Sequence, residues 1–454
     1  MTPAELRTLA TLASTLVPAA DGVRVAALAD EAIARAADPG QVREVRLVLR
    51  ALETGVASKV MGGPWKPFSA MDAADRERVL YRWGTSPIPQ QRSAFSAFQR
   101  LLPFLAYADP GTPEAPNLLP VLAGYDPERP PVTDDLTTVE PLDIDRSLHG
   151  GAPVELTADV VVIGSGAGGG VVAAELAKAG RSVVVLEAGP FVDEATMPRN
   201  ELDAYSRLYL NHGLLSTWDG SVTILAGSGV GGGTLVNWMT CLDVPDDVRA
   251  EWGTEHGVNG VTDGEWAADR ATIEAELGVA PSRVIPPKDE LILRGSTALG
   301  WAGSVIDRNA AECGVCGSCP FGCVVGAKQS GIRAHLKTAT AGGARIVDRV
   351  RVTKVRVEGG RVTGVEGRLL ATDPFSHMPI MPNGDPTKAE VRPLVVHAPQ
   401  VVLAAGALRS PAVLQASGIA HPAVGRHLRL HPVSLVAARM TEPVHMWRGT
   451  MQAA

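Results

Sequence analysis

The stretch ADVVVIGSGAGGGVVAAELAKAGRSVVVLEAG, residues 158–189, sets the architecture expected of this chain. The β-branched run 160–163 is followed by the glycine turn 164–169, by a helical pattern over 170–179 and by a second β-branched run that ends at Glu187. Strand, turn, helix and strand in this order are typical of a βαβ unit with parallel strands. We therefore predict an α/β fold built on a Rossmann-like domain.

The glycine turn carries the pattern G-x-G-x-x-G in the setting that a dinucleotide site requires. Gly164 permits the tight turn, Gly166 lets the backbone approach a pyrophosphate, and Gly169 lets the helix pack closely on the strand. The N-terminus of the helix offers N–H groups and a partial positive charge to the phosphates. Glu187, about twenty residues further on, is placed to accept a hydrogen bond from a ribose hydroxyl. The pattern predicts a dinucleotide site and leaves FAD and NAD open.

A second glycine cluster, AGSGVGGGTLVNW at residues 226–238, bears on this choice. So many glycines in a non-repetitive segment predict backbone laid against a flat or phosphate-bearing ligand. The apolar residues Leu225, Leu235, Val236 and Trp238 argue against a solvent-exposed loop. An NAD-dependent dehydrogenase would leave this cluster without a purpose, and FAD is therefore favoured.

Together these stretches resemble the glucose-methanol-choline (GMC) family of FAD-dependent oxidoreductases. The segments AAGALRSPAVLQASGI at 404–419 and VGRHLRLHP at 424–432 are similar to later motifs of that family. NWMTCLDVPDDVRAEWG at 237–253, CGVCGSCPFGCVVGAKQS at 313–330 and the helical N-terminal region resemble its long-chain fatty alcohol oxidase group. The resemblance extends from residue 158 onward and rests on several independent motifs.

The resemblance implies a cofactor, an activity and a set of contacts. Gly164, Gly166, Gly169 and Glu187 would hold the ADP half of FAD, and the backbone of Val352 would meet the adenine. The positions implied along the pyrophosphate and near the flavin ring are Gly231, Gly232, Thr234 and Asn237, with Gly406 and Ala407 also near the cofactor. The implied reaction oxidises the CH–OH group of a long-chain or other apolar alcohol to an aldehyde or ketone. Oxygen or a redox partner would be the electron acceptor.

The C-terminal region departs from the family pattern. In the GMC family a histidine far toward the C-terminus, paired with a second His or Asn, takes the hydroxyl proton. This chain ends at MWRGTMQAA, residues 446–454. We therefore expect a C-terminal truncation, an incomplete substrate domain and a catalytic base beyond residue 454. His427 and His431 are the nearest candidates, and neither is assigned as the base. The alternative is a catalytically incomplete flavin-binding fragment that transfers electrons or binds a partner.

Four of the five cysteines fall within CGVCGSCPFGC, residues 313–323. They are spaced C-x2-C-x2-C-x3-C and are Cys313, Cys316, Cys319 and Cys323. An iron–sulfur cluster suits this spacing and would relay single electrons beside a flavin, although Pro320 follows the third cysteine and not the fourth. A structural zinc site with four thiolates is the second alternative. Reduced or disulfide-paired thiols that close a tight loop are the third, and all three stay open.

Four segments are expected along the chain. They are a helical N-terminal domain at 1–130, a linker at 131–157, an FAD-binding domain at 158–370 with the cysteine-rich insertion 313–330, and a continuation of that domain with the start of a substrate domain at 371–454. Within the first segment, Thr2 to Glu5 forms a predicted capping box with proline at the first helical position. Residues 345–369 alternate as two strands around EGGR and predict a hairpin.

Composition restricts the classes of partner. The formal net charge of -7 and the absence of a basic block argue against a nucleic-acid partner. The N-terminus lacks the pattern of a secretory signal, and no apolar run reaches the roughly 18 residues that suggest a spanning helix. Cysteine is scarce outside 313–323, which argues against a disulfide framework. A cytoplasmic location is expected, and peripheral contact with a membrane is left open.

Overall fold

The computed structural model describes residues 1–36, 39–125, 130–146, 152–217, 222–371, 390–431, 433 and 436–454. Residues 147–151 of the predicted linker lie outside the described residues, as do residues 372–389, 432, 434 and 435 of the predicted segment 371–454. The chain divides into two compact units. The helical unit comprises Met1–Asp126, Asn200–Ala226 and Ala371–Glu390, and the sheet unit comprises Pro127–Arg199, Gly227–Leu370 and Val391–Ala454. The four domain boundaries expected from the sequence stay a prediction.

The α-helices of the described residues are α1 (Pro3–Leu16), α2 (Gly22–Ala36), α3 (Pro39–Leu52), α4 (Gly55–Val60), α5 (Ala73–Gly84), α6 (Pro89–Ala108), α7 (Leu119–Leu122), α8 (Ala167–Lys178), α9 (Glu201–Leu208), α10 (Asp246–Thr254), α11 (Gly264–Glu276), α12 (Pro287–Leu299), α13 (Lys337–Ala341) and α14 (Gly406–Ala416). The 3-10 helices are Phe68–Ala70, Leu210–Gly213 and Gly232–Leu235, and a π-helical turn covers Ile332–Leu336.

The β-strands are β1 (Val154–Thr157), β2 (Val160–Ile163), β3 (Val183–Leu186), β4 (Thr240–Cys241), β5 (Ala280–Pro281), β6 (Asp307–Arg308), β7 (Arg345–Val347), β8 (Val350–Glu358), β9 (Arg361–Leu370), β10 (Glu390–His397) and β11 (Gln400–Leu403).

The helical unit begins with the predicted capping box. The backbone N–H of Glu5 donates to the Thr2 hydroxyl at 3.3 Å, and the backbone N–H of Thr2 donates to the Glu5 carboxylate at 2.7 Å. Pro3 is the first residue of α1, where a missing N–H costs nothing. The core of this unit consists of apolar side chains that are almost fully buried, among them Leu9, Leu12, Leu49, Leu52, Phe68, Val79, Trp83, Phe98 and Leu102.

The principal sheet of the sheet unit has the strand order β11-β2-β3-β7, and its neighbouring strands pair in parallel. Every residue of β2 and β3 is buried, as the uninterrupted β-branched runs predicted. The predicted βαβ unit of β2, α8 and β3 is therefore confirmed. Helix α8 begins at Ala167 and not at residue 170, because Gly166 is its N-cap and the following glycines are helical.

A second sheet has the order β1-β10-β9-β8. Strands β8 and β9 pair in antiparallel register and confirm the predicted hairpin. Gly359 and Gly360 both have positive φ angles, of 56° and 77°, as a two-residue hairpin turn requires. A third, small sheet has the order β4-β6-β5. The sheets and helices of the described residues confirm the predicted α/β class.

In the part of the chain that the structure describes, no helix combines the length and the apolar character needed to cross a membrane.

Candidate functional site

The turn after β2 depends on glycine at two positions. Gly164 has a φ of +99°, and a Cβ there would lie 2.4 Å from the carbonyl oxygen of Ala404. A Cβ on Gly169 would lie 2.0 Å from the carbonyl oxygen of Gly164. Real side chains do not approach backbone so closely, and the turn therefore requires glycine at both positions.

Open space lies beside the N-terminus of α8. No side chain of the described residues caps this helix at Gly166. The nearest atom to a Cβ on Gly166 would be the Cα of Gly232 at 3.9 Å, and a Cβ on Gly168 would meet nothing within 4 Å. An uncapped helix N-terminus with free space beside it suits a phosphate group, because its first N–H groups have no intrahelical acceptor.

Glu187 follows β3 directly and is held by two neighbouring segments. Its Oε2 accepts hydrogen bonds from the backbone N–H of Ser165 at 3.0 Å and from the Ser165 hydroxyl at 2.6 Å. Its Oε1 accepts from the backbone N–H of Gly189 at 2.9 Å. Burial raises the pKa of Glu187, against the opposing effect of the hydrogen bonds from Gly189 and Ser165. The ribose contact of Glu187 stays a prediction. The hydrogen bonds that Ser165 donates to Glu187 were not predicted.

The two glycine-rich stretches lie against one another. The backbone N–H of Gly231 donates to the Ser165 hydroxyl at 3.0 Å. A Cβ on Gly232 would lie 2.8 Å from the Cα of Gly166, which means that the two backbones approach at van der Waals distance. The structure therefore brings Gly166, Glu187, Gly231 and Gly232 together.

Thr234 and Asn237 occupy the far end of the second stretch. The Thr234 hydroxyl donates to the carbonyl of Gly231 at 2.6 Å and accepts from the backbone N–H of Gly331 at 2.9 Å. The backbone N–H of Asn237 donates to the carbonyl of Gly233 at 3.0 Å. These contacts order the segment internally and tie it to the residues that precede the π-helical turn.

Val352 lies in β8, two residues after the residue that hydrogen-bonds to Glu187 at the end of β3. The backbone N–H of Val350, where β8 begins, donates to the carbonyl of Glu187 at 2.8 Å. The neighbouring Arg349 N–H donates to the carbonyl of Gly189 at 3.1 Å. The beginning of β8 thus adjoins Glu187, and the adenine contact of Val352 stays a prediction.

Gly406 and Ala407 open helix α14, which follows β11. The backbone N–H of Ala404 donates to the carbonyl of Ile163 at 2.8 Å, at the same edge of the sheet where the turn after β2 begins. Because the carboxyl ends of parallel strands meet at one edge, α14 starts beside the glycine turn.

The four clustered cysteines line one small cavity together with Lys328. All of them are free thiols, as is Cys241. Among the described residues, no group of three or more His, Cys, Asp or Glu side chains could hold a metal ion. Burial raises the pKa of Cys319 and of Cys323.

The structure therefore does not support the iron–sulfur cluster or the zinc site that the spacing of Cys313, Cys316, Cys319 and Cys323 suggested. The physical reason is that spacing along the chain does not fix the directions of the sulfur atoms. In the structure none of these four cysteines forms a disulfide.

Lys328 is a functional candidate that the sequence reasoning missed. Its side chain is 2% exposed, and its ammonium donates to the carbonyl oxygens of Leu235 at 2.7 Å, Asn237 at 2.8 Å and Cys319 at 2.9 Å. Burial lowers its pKa to about 8, against the opposing effect of the nearby cysteines. A lysine directly after an apolar and cysteine-rich run was the available signal.

The two histidines nearest to the end of the family motifs, His427 and His431, are exposed and lie outside regular secondary structure. His427 has a φ of 60°. No contact places either imidazole at the glycine-rich stretches, and neither is assigned as a base among the described residues.

Comparison with known proteins adds an independent observation. A family model described as GMC oxidoreductase matches residues 205–433. An uncharacterized GMC-type oxidoreductase of Mycobacterium tuberculosis is 33% identical over 387 residues, which cover 84% of this chain and 56% of that protein. A long-chain-alcohol oxidase of Arabidopsis thaliana is 34% identical over 283 residues, which cover 62% of this chain and 37% of that protein.

The chain thus spans 56% of the length of the first of these relatives and less of the second. Among solved structures, the formate oxidase of Aspergillus oryzae aligns with a TM-score of 0.41 and 16% identity. That alignment covers 59% of this chain and 48% of the other.

Proposed function

Because this chain belongs to the GMC oxidoreductase family, we propose that it binds FAD and oxidises the CH–OH group of an alcohol to a carbonyl. The proposed substrates are long-chain or other apolar alcohols, since long-chain-alcohol oxidases are among its relatives. Oxygen or a redox partner is the proposed electron acceptor. FAD, when bound, supplies the two-electron acceptor for this chemistry.

One observation carries the FAD proposal. The glycine turn at 164–169 and the glycine-rich segment 226–238 meet through the Ser165–Gly231 hydrogen bond and the contact between Gly232 and Gly166. A nicotinamide dinucleotide needs only the first of these stretches. The surface that the two glycine-rich backbones form together suits a longer ligand, whose diphosphate and ring system lie along both stretches.

The proposed roles of the residues follow from this surface. The N-terminus of α8 and the backbone at Gly166 bind the diphosphate, because N–H groups and open space lie there. Glu187 binds the adenosine ribose, and the backbone of Val352 meets the adenine. The backbone from Gly231 to Asn237 orients the remainder of the cofactor and excludes water from it.

The cofactor assignment is tested by thermal unfolding with added nucleotides. A ligand that binds only the folded state raises the midpoint of unfolding. We expect FAD to raise the melting temperature and NAD to leave it unchanged. A rise with NAD and none with FAD would replace FAD by a nicotinamide cofactor.

The activity is tested on the FAD-loaded protein without oxygen. Bleaching of the visible flavin absorbance by a long-chain primary alcohol, and not by the alkane of equal length, would support the proposed oxidation. Tight FAD binding without alcohol-dependent bleaching would favour the second hypothesis, a flavin-binding protein that transfers electrons or binds a partner.

A further inference from the structure

Lys328 is a buried cation that the proposed function does not use. The titratable and charged groups that face it are Cys316, Cys319, Cys323 and Arg308, and none of them is a carboxylate. Its three N–H groups are instead taken up by backbone carbonyl oxygens at 2.7, 2.8 and 2.9 Å. The ammonium is thus fully hydrogen-bonded without an acidic partner.

Burying an ammonium is energetically unfavourable, and its hydrogen bonds have to offset that cost. An apolar residue such as methionine would fill the same space without that cost. Packing alone therefore does not explain a lysine at position 328. What the ammonium adds is directional contact with three carbonyl groups that lie far apart in the sequence.

Two of these carbonyl groups belong to the glycine-rich segment. The ammonium contacts Leu235 and Asn237 on one side and Cys319, in the cysteine loop, on the other. Carbonyl oxygens carry partial negative charge and would repel a diphosphate. The ammonium donates hydrogen bonds to both of these oxygens inside the protein. The two acceptors are therefore kept away from an anionic ligand.

Two further hydrogen bonds hold the backbone at the far end of the glycine-rich segment, at Trp238 and Met239. Arg308 donates to the carbonyl of Trp238 at 3.4 Å, and the backbone N–H of Asn309 donates to the carbonyl of Met239 at 3.3 Å. The near end of the segment is held separately by Ser165 at Gly231. The far end is therefore anchored by residues around the cysteine loop, with Lys328 at two of its carbonyls.

We propose that Lys328 is a positioning residue for FAD, which fixes the backbone at Leu235 and Asn237 by anchoring it to the cysteine loop at Cys319. This inference rests on the proposed FAD site. It gives the cysteine loop a function as the support of the cofactor-binding segment.

Two variants of Lys328 and one matched control test this proposal. Lys328→Met removes the ammonium and keeps an apolar stem of similar length, and Lys328→Arg keeps the charge and the donors. Lys288→Met is the control, because the Lys288 ammonium also donates to backbone carbonyls, of Thr450 at 2.6 Å and Met451 at 3.2 Å, and to the Asp289 carboxylate at 2.7 Å, without contacting residues 226–238.

The measurements are the FAD dissociation constant, the visible circular dichroism of bound flavin and the melting temperature without FAD. Lys328→Met is expected to weaken FAD binding roughly tenfold or more, as loss of a charged hydrogen-bond donor predicts, and to change the flavin dichroism. Lys328→Arg is expected to restore much of the affinity. Lys288→Met is expected to lower the melting temperature and leave both flavin measurements unchanged.

The proposal is overturned if Lys328→Met lowers the melting temperature as Lys288→Met does but binds FAD with wild-type affinity and dichroism. If Lys328→Met does not fold, Lys328→Gln, which removes the charge and can donate to at most two of the three carbonyls, is measured in its place against the same criteria. Failure of the wild-type protein to bind FAD would overturn the proposed function itself, and is thereby distinguished from failure of this inference alone.

Discussion

Ser165 and Glu187 are joined by two hydrogen bonds to the same carboxylate oxygen, from the Ser165 backbone N–H at 3.0 Å and from its hydroxyl at 2.6 Å. The same hydroxyl accepts from the backbone N–H of Gly231 at 3.0 Å. One fully buried side chain thus connects the acidic residue after β3 with both glycine-rich stretches. The position of Glu187 therefore depends on Ser165.

Replacing Ser165 with alanine should weaken this connection. Glu187 loses one donor and the N–H of Gly231 loses its acceptor, so Ser165→Ala is expected to lower stability by about 1–3 kcal/mol. FAD affinity is expected to fall roughly tenfold, because the two stretches are no longer tied. Urea unfolding and FAD titration measure the two effects. Ser296→Ala, whose hydroxyl donates only to the carbonyl of Ile292 within α12, is the control. Wild-type FAD affinity in Ser165→Ala would contradict this account.

The open space at Gly166 gives a prediction that separates binding from folding. Gly166 has a φ of -65°, which other residues adopt, and a Cβ there would meet only the Cα of Gly232 at 3.9 Å. Gly166→Ala is therefore expected to change the stability of the cofactor-free protein by less than about 1 kcal/mol. FAD affinity is expected to fall at least roughly tenfold, because the methyl group occupies the space of the diphosphate.

Gly295→Ala is the control for this substitution, since a Cβ there also meets nothing within 4 Å and the residue lies in α12. It is expected to leave FAD affinity unchanged and to stabilise the helix slightly. Equal FAD affinities for Gly166→Ala and Gly295→Ala would show that the space beside α8 is not the diphosphate site.

The stability of the helical unit should depend on pH through Glu5. Burial alone would raise the pKa of Glu5, but hydrogen bonds from Thr2, Arg46 and Arg50 outweigh it and lower the pKa to about 2. A carboxyl group whose pKa is lower in the folded state stabilises the fold above its unfolded pKa of 4.5. This stabilisation is lost progressively as the pH falls from 4.5 toward 2.

Glu5→Gln is therefore expected to lower the free energy of unfolding by about 1–2 kcal/mol at neutral pH, a value reduced by the solvent exposure of Arg46 and Arg50. The difference from wild type should shrink as the pH falls to about 3. Denaturant unfolding at a series of pH values measures it, with Glu44→Gln, an exposed glutamate of α3, as the control. A difference that is constant over this pH range would refute the assignment.

The cysteine loop should contain free thiols and no metal. Thiol titration of the unfolded protein is expected to find all five cysteines reactive. Treatment with a chelator is expected to leave the melting temperature unchanged, because the described residues present no group that could hold a metal ion. Stoichiometric iron with acid-labile sulfide, or stoichiometric zinc, in anaerobically purified protein would contradict the structure at this loop.

Local patterns made the framework predictable. The βαβ unit, the hairpin around Gly359 and Gly360 and the cap of α1 each depend on residues that are close in sequence, and the structure confirms all three. Strand and helix periods, turn glycines and capping residues act over a few positions, and reading them requires no knowledge of the tertiary fold.

Contacts between distant segments could not be predicted in the same way. The hydrogen bond of Ser165 with Gly231 and the three carbonyl contacts of Lys328 join residues that only the tertiary fold brings together. The cysteine spacing predicted that the four thiols lie together, and they do line one small cavity with Lys328, but spacing alone could not predict whether their sulfur atoms are arranged to hold a metal ion. The grouping of residues 200–226 with the helical unit is likewise a property of packing.

The cofactor site itself is tested by the visible absorption spectrum of the freshly purified protein. The nucleotide that is released on heating is then quantified. We expect flavin absorption bands and one FAD released per chain, either as purified or after incubation with FAD. Folded protein that is colourless and takes up no added FAD would contradict the assignment of the two glycine-rich stretches.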